Sequence, residues 1–153
     1  MYLRFRANNT GNPGLIDYYL PFLAHLHSLL PASHALICTS HIGHEAHLPA
    51  PARPVELGKL LESKLELVNA LRTSLDVWSN EQGEQEKSKL VLIGHSLGGW
   101  LVCEIMKRLN TSKEEVVHAG HLLFPSLGWM AKSWNGRVMW VCTFLHLLIV
   151  LRF

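Results

Sequence analysis

Ser96 stands in Gly94-His95-Ser96-Leu97-Gly98, and a serine spaced between two glycines in this way is an arrangement that presents a hydroxyl nucleophile. The run Leu90-Val91-Leu92-Ile93 just before it reads as a short buried strand. Leu101, Val102, Ile105, Met106 and Leu109 after it read as a helix. A strand that turns into a helix at G-x-S-x-G is a nucleophile elbow. Its serine takes a strained backbone, and side chains at Gly94 and Gly98 would collide there. The chemistry to expect is acyl transfer, with Ser96 attacking at the carboxyl end of a sheet and the backbone N–H of Leu97 facing the oxyanion.

A serine hydroxyl is a weak nucleophile at neutral pH and needs a histidine base oriented by an acid, which follow the serine along the chain in the order acid, histidine. After Ser96 the carboxylates are Glu104, Glu114 and Glu115. Glu104 falls about 12 Å along the following helix at 1.5 Å per residue. Glu114 and Glu115 precede the next strand, at the end of the sheet away from the elbow, roughly 15–20 Å off. His118 and His121 belong to that strand and suit packing or hydrogen bonding, His146 lies in an apolar tail, and His95 suits a structural role. These residues supply a nucleophile without its relay. His41, His44 and His47 sit three apart beside Glu45, but a cysteine-free loop gives no converging zinc geometry, so they read as hydrogen-bonded loop histidines. No metal and no cofactor is expected.

The chain has 153 residues, 48% hydrophobic and 17% charged, with a formal charge of +2. That suits one globular domain and argues against nucleic acid as a partner. Cys38, Cys103 and Cys142 are odd in number and set among apolar residues, the pattern of buried, reduced thiols in a cytosolic setting. The N-terminus lacks a signal peptide's apolar core, so the sequons at Asn8 and Asn110 are expected to stay unmodified. Nothing here sets an oligomeric state.

Around the elbow, residues 2–7 could form one short strand through Tyr2, Leu3 and Phe5, but Arg4 and Arg6 make it a poor match for a central buried strand, and Asn8 to Gly14 is dense in turn formers. Pro21 opens a helix with Phe22, Leu23, Leu26, Leu29 and Leu30 on its apolar face, and Pro31 stops it. His34 to Thr39 reads as a buried strand. Leu57, Leu61, Leu65, Val68, Leu71, Leu75 and Trp78 repeat at helical steps, with Lys59, Glu62, Lys64, Glu66 and Arg72 on a solvated face. Val116 to Phe124 gives a last strand. Strands alternating with helices predict an α/β fold, a mostly parallel sheet with helices on both faces and right-handed crossovers. The tail Val138 to Leu151 carries no Asp, Glu, Lys or Arg. As a helix it is about 21 Å long, short of a roughly 30 Å bilayer core, which suits a core helix or a lipid-facing segment.

With these elements placed, the chain resembles the lipid droplet-associated hydrolase family of α/β hydrolases. The resemblance is carried by Gly11-Asn12-Pro13-Gly14-Leu15-Ile16-Asp17-Tyr18-Tyr19 with Pro21-Phe22, Ser40-His41-Ile42-Gly43-His44, Leu90 to Gly98, and Leu123-Phe124-Pro125-Ser126 with Asn135-Gly136-Arg137. It implies serine-dependent hydrolysis of neutral lipid esters at the surface of lipid droplets or the endoplasmic reticulum, on the cytosolic face. It makes Gly11 to Gly14 an oxyanion loop. Because Pro13 has no N–H, Asn12 or Gly11 supplies the second donor beside Leu97, and Asn12 is the choice made here. The family places its acid and histidine on later strands. The expectation is therefore a partial α/β-hydrolase fold with late strands missing, a C-terminally truncated member. Residues 1–137 form the front of the domain, and residues 138–153 begin a cap or lipid-facing segment. The alternative is a non-catalytic lipid-surface binding protein that keeps the front half of that fold.

Overall fold

The apolar run around Leu90 forms strand β3, Lys89–His95, and the other elements are arranged about it. The computed structural model describes residues 4–9 (backbone only), 15–45, 48–49, 51–83, 88–111 and 114–126. Asn12 and the rest of Gly11 to Gly14, His47, Asn135 to Arg137, Cys142, His146 and the tail Val138 to Leu151 lie outside the described residues. Before β3 come β1 (Arg4–Asn9), a 3-10 turn (Ile16–Tyr19), α1 (Leu20–Leu29), β2 (His34–Thr39) and α2 (Leu57–Glu81). After it come α3 (Leu97–Leu109) and β4 (Ala119–Leu123).

The four strands make one parallel sheet in the order β2-β1-β3-β4. The fold is α/β with a parallel sheet, as its alternating elements predict. The chain steps from β1 outward to β2, then back past β1 to β3 and on to β4. Right-handed crossovers therefore put α1 on the face opposite α2 and α3. The α2/α3 face holds the core, where Leu90 and Leu92 of β3 meet Leu61, Leu101, Val102 and Ile105. Val91 and Ile93 alternate with them and are also buried.

Several expectations change. First, β1, a poor strand by composition, is central: Ala7 pairs with Ile37 on one side and Leu92 on the other. It extends through Asn8 and Asn9, because two flanking ladders hold a segment extended against its own turn preference. Second, β2 is half-buried, since it lies at the sheet edge among the described strands. Third, β4 is shorter than Val116 to Phe124. The Asn110 side chain, capping α3, donates from Nδ2 to the Val117 carbonyl at 2.7 Å and accepts from the Val117 N–H at 2.9 Å, so the approach to β4 is bonded to a helix end. Fourth, the polar face of α2 is not all solvated, because Lys64 is 4% exposed and Arg72 is half-buried, donating to Asp76 and to the Ser88 carbonyl. Cys38 and Cys103 are free thiols, half-buried rather than in the core. Helix α1 starts at Leu20 with Pro21 in its first turn, but it buries none of its residues, and Leu29 is exposed.

Two glycines give opposite expectations. A Cβ on Gly94 would overlap the Gly98 carbonyl oxygen and come within 2.7 Å of the Gly99 nitrogen, all of it backbone that cannot rotate away. Gly58 on α2 has open space around it. Gly94→Ala should cost about 3 kcal/mol, the upper part of the overpacking range. Gly58→Ala should stabilise by about 0.5 kcal/mol. Urea unfolding midpoints of the two variants check this.

Candidate active site

Ser96 lies between the end of β3 and the start of α3 with φ 51° and ψ −115°, a conformation L-residues rarely adopt and one that costs roughly 1–3 kcal/mol. Such a residue persists where its surroundings over-determine it. Here Gly94 lets strand and helix backbones meet, and the segment after β4 closes from the other side. The Ser96 N–H donates to the Leu123 carbonyl at 3.0 Å, and the Ser126 N–H donates to the Ser96 carbonyl at 3.0 Å. The Ser96 and Ser126 hydroxyl oxygens are 3.2 Å apart. Gly99 completes the clasp, since a Cβ there would stand 2.7 Å from that of Pro125.

Ser96 also marks a topological switch point. The connection after β1 leads toward β2 and that after β3 toward β4, so the two neighbouring strands send their chains apart and leave a crevice at their carboxyl ends. Leu97, first residue of α3, has an N–H with no intrahelical acceptor by position, and it opens toward that end. Asn9, last in β1, is in register with Gly94, so the chain leaves β1 beside the elbow.

His95 is fixed structurally. Its Nδ1 lies 2.8 Å from the Tyr19 hydroxyl, and its ring meets Tyr19 and Phe124 edge to face at 5.8 and 6.4 Å. Phe124 is itself at φ 46° and 88% exposed. The carboxylates that follow Ser96 are engaged elsewhere. Glu104 pairs with Lys107 and Arg108 at 3.8 Å on α3. Glu115 bonds His118 Nδ1 at 2.6 Å, just before the amino end of β4. His121 is exposed within β4. Among the described residues, the side-chain partner of the Ser96 hydroxyl is Ser126.

Beyond β2, His41 is buried and His44 exposed, their rings 6.0 Å apart edge to face. Among the described residues no group of three His, Cys, Asp or Glu is disposed to hold a metal ion. Lys64 Nζ donates to Thr39 Oγ1 at 2.8 Å and to the Ser40 carbonyl at 2.5 Å, and Ser40 donates to Glu45 at 2.7 Å. Burial pushes the Lys64 ammonium down to about 8, partly offset by the charges of Cys38 and Glu45. Burial likewise pushes the Cys38 thiol up. A cavity of about 520 Å³ runs from this loop to Leu97.

Residues 9–153 match the family model described as Lipid-droplet associated hydrolase. The chain belongs to the lipid droplet-associated hydrolase family. It is similar to the lipid droplet-associated hydrolase of Gallus gallus, 34% identical over 131 residues that cover 84% of this chain and 39% of that protein. It is 31% identical to the Homo sapiens protein of that name over 153 residues, covering 92% of this chain and 43% of that one. The chain thus spans about two fifths of the length of the curated relatives it matches. The family blocks at Tyr19, Ser40 to His44 and Leu123 to Ser126 converge on the elbow end of this sheet.

Tyr19 and Ser126 stand in blocks that carry the family resemblance, but their contacts at the elbow, like that of Lys64 at the loop after β2, have no signature in the sequence. Ser126 itself had a faint signal, a Pro-Ser at the end of a predicted strand. Tyr19 meets His95 from 76 residues away in the sequence, and Lys64 sits on a helix face that periodicity assigns to water. Lys64 has a testable signature. Its folded value lies below the ordinary 10.5, so between pH 8 and 10.5 the unfolded chain binds more protons and stability rises with pH. Lys64→Met should lack this rise, on the order of 2–3 kcal/mol, in the difference between wild-type and variant urea midpoints measured across that window.

Proposed function

We propose that this member of the lipid droplet-associated hydrolase family provides the nucleophile half of a serine ester hydrolase acting on neutral lipid esters at the cytosolic surface of lipid droplets and the endoplasmic reticulum. The observation that carries the reading is the conformation of Ser96, a strained serine between β3 and α3 at the carboxyl end of a parallel sheet. Strain of this kind is kept where a hydroxyl must be presented, and the G-x-S-x-G context specifies which.

In this reading the Ser96 oxygen bonds to the ester carbonyl carbon as its proton passes to a base, and the carbonyl oxygen becomes an oxyanion. The Leu97 N–H is one donor to that oxyanion. Asn12, outside the described residues, is proposed as the other, and the register of Asn9 with Gly94 supports it. Collapse expels the alcohol, and water then releases the acid from Ser96. The base and its orienting acid are assigned to the length of the relatives that this chain does not span. Residues 1–137 are proposed as the front of an α/β-hydrolase domain, with residues 138–153 as the start of a cap or lipid-facing segment.

One observation favours a second reading, a non-catalytic lipid-surface binding protein: among the described residues the Ser96 hydroxyl is partnered by another serine, not by a histidine. Reaction of the folded chain with a fluorophosphonate separates the two. Labelling that disappears in Ser96→Ala would support the hydrolase reading and overturn the assignment of its base to a length this chain does not span. No labelling of a cooperatively folded sample would leave the binding protein. Localisation has its own test, since no helix among the described residues is long and apolar enough to cross a membrane. In lipid-loaded cells a tagged chain should gather on droplets, and deletion of residues 138–153 should release it. A signal that is diffuse with and without the tail overturns the assignment.

A further inference from the structure

We propose that the cavity beside Leu97 seats the acyl chain of the ester cleaved at Ser96, an inference that rests on the reading of Ser96 as nucleophile. The cavity is about 520 Å³, within the roughly 300–1,000 Å³ of small-molecule sites. Its walls come from the loop after β2, the segment before α2, and the first residue of α3. Because β1 separates β2 from β3, a space touching both the His41 loop and Leu97 spans the carboxyl end of β1, in the crevice of the switch point.

The cavity is built, not a gap between loose loops. Gly43 has φ +78°, and a Cβ there would stand 2.6 Å from Pro51, so the two wall segments touch where only glycine fits. Lys64 holds the root of the same loop by its bonds to Thr39 and Ser40, and Ser40 ties to Glu45 within the loop.

The chemistry of the lining selects the occupant. Ile42, Pro54, Val55, Leu57, Leu60 and Leu97 offer apolar surface, while the polar lining side chains are His41, His44 and Arg53. Among the described residues no carboxylate lines it to bind a polyol or an amine. Exposed Leu57 opens the cavity to solvent and buried Leu60 closes its inner end, a gradient that suits a linear hydrocarbon entering lengthwise. Leu97, whose N–H is the proposed oxyanion donor, is part of the lining, so a chain seated there lies next to the residue that follows Ser96.

The test is displacement of dansyl-undecanoic acid from the full chain by saturated fatty acids of eight to sixteen carbons. Saturable binding with one site is expected, tightening about fourfold per added methylene until the cavity is full. Leu57→Trp and Ile42→Trp, both at partly exposed positions that tolerate bulk, should each weaken binding at least about tenfold. Their unfolding midpoints should stay unchanged. Leu29→Ala, exposed on α1, should bind as wild type. Fluorophosphonate labelling reads Ser96 and displacement of the dansyl probe reads the cavity, so loss of one and loss of the other are separate results. Absence of saturable binding, no chain-length dependence, or unaltered affinity in both tryptophan variants overturns the proposal.

Discussion

The backbone contact between Gly94 and the start of α3 decides how the rest of the molecule is put together. Strand and helix backbones approach until no Cβ fits between them, and that closeness sets the angle at which the chain reverses at Ser96. A turn that tight leaves Ser96 at positive φ, a state the residue would abandon if either side loosened. Leu123 and Ser126 bond its N–H and carbonyl, so β4 is both the neighbour of β3 and the brace of its turn. Remove the brace and the ladder between His95 and Leu123 has nothing beyond it to hold the serine out.

Much of this was legible in the sequence, and the unevenness has physical causes. Strand β3, helix α3 and the elbow were readable because a continuous apolar run, a glycine spacing and a helical period coincide over twenty residues or so. The bounds of β2 were readable too, His34 to Thr39, but its burial was not, since edge position depends on strand order. The central place of β1 was illegible because its pairing comes from distant ladders, not from its own arginines and asparagines. In the site, Ser96 and Leu97 followed from local pattern. Ser126, Tyr19 and Lys64 did not, because each acts through a contact made only when separate elements meet.

Lys64 shows what a charge does in such a place. An ammonium in the interior is costly unless hydrogen-bonded, and here the cost is met by an oxygen of Thr39 and the carbonyl of Ser40. That carbonyl has left the sheet ladder and would otherwise lack a donor, so the lysine finishes β2 much as a capping side chain finishes a helix. The helix that covers the sheet thereby also determines where the loop beyond β2 begins, and with it one wall of the space next to Leu97.

The strand order also has a consequence in time. Strand β1 is made first, yet it pairs on one side with β3, so that Arg4 meets Lys89 only after most of the described chain has been synthesised. At about 5–20 residues per second, the innermost strand waits several seconds on the ribosome with one side unpaired. An apolar strand left waiting is an invitation to wrong partners. The arginines and asparagines that spoil Arg4–Asn9 as a textual strand are the residue types that discourage such pairing, and their presence in the centre of the sheet reads as protection during synthesis.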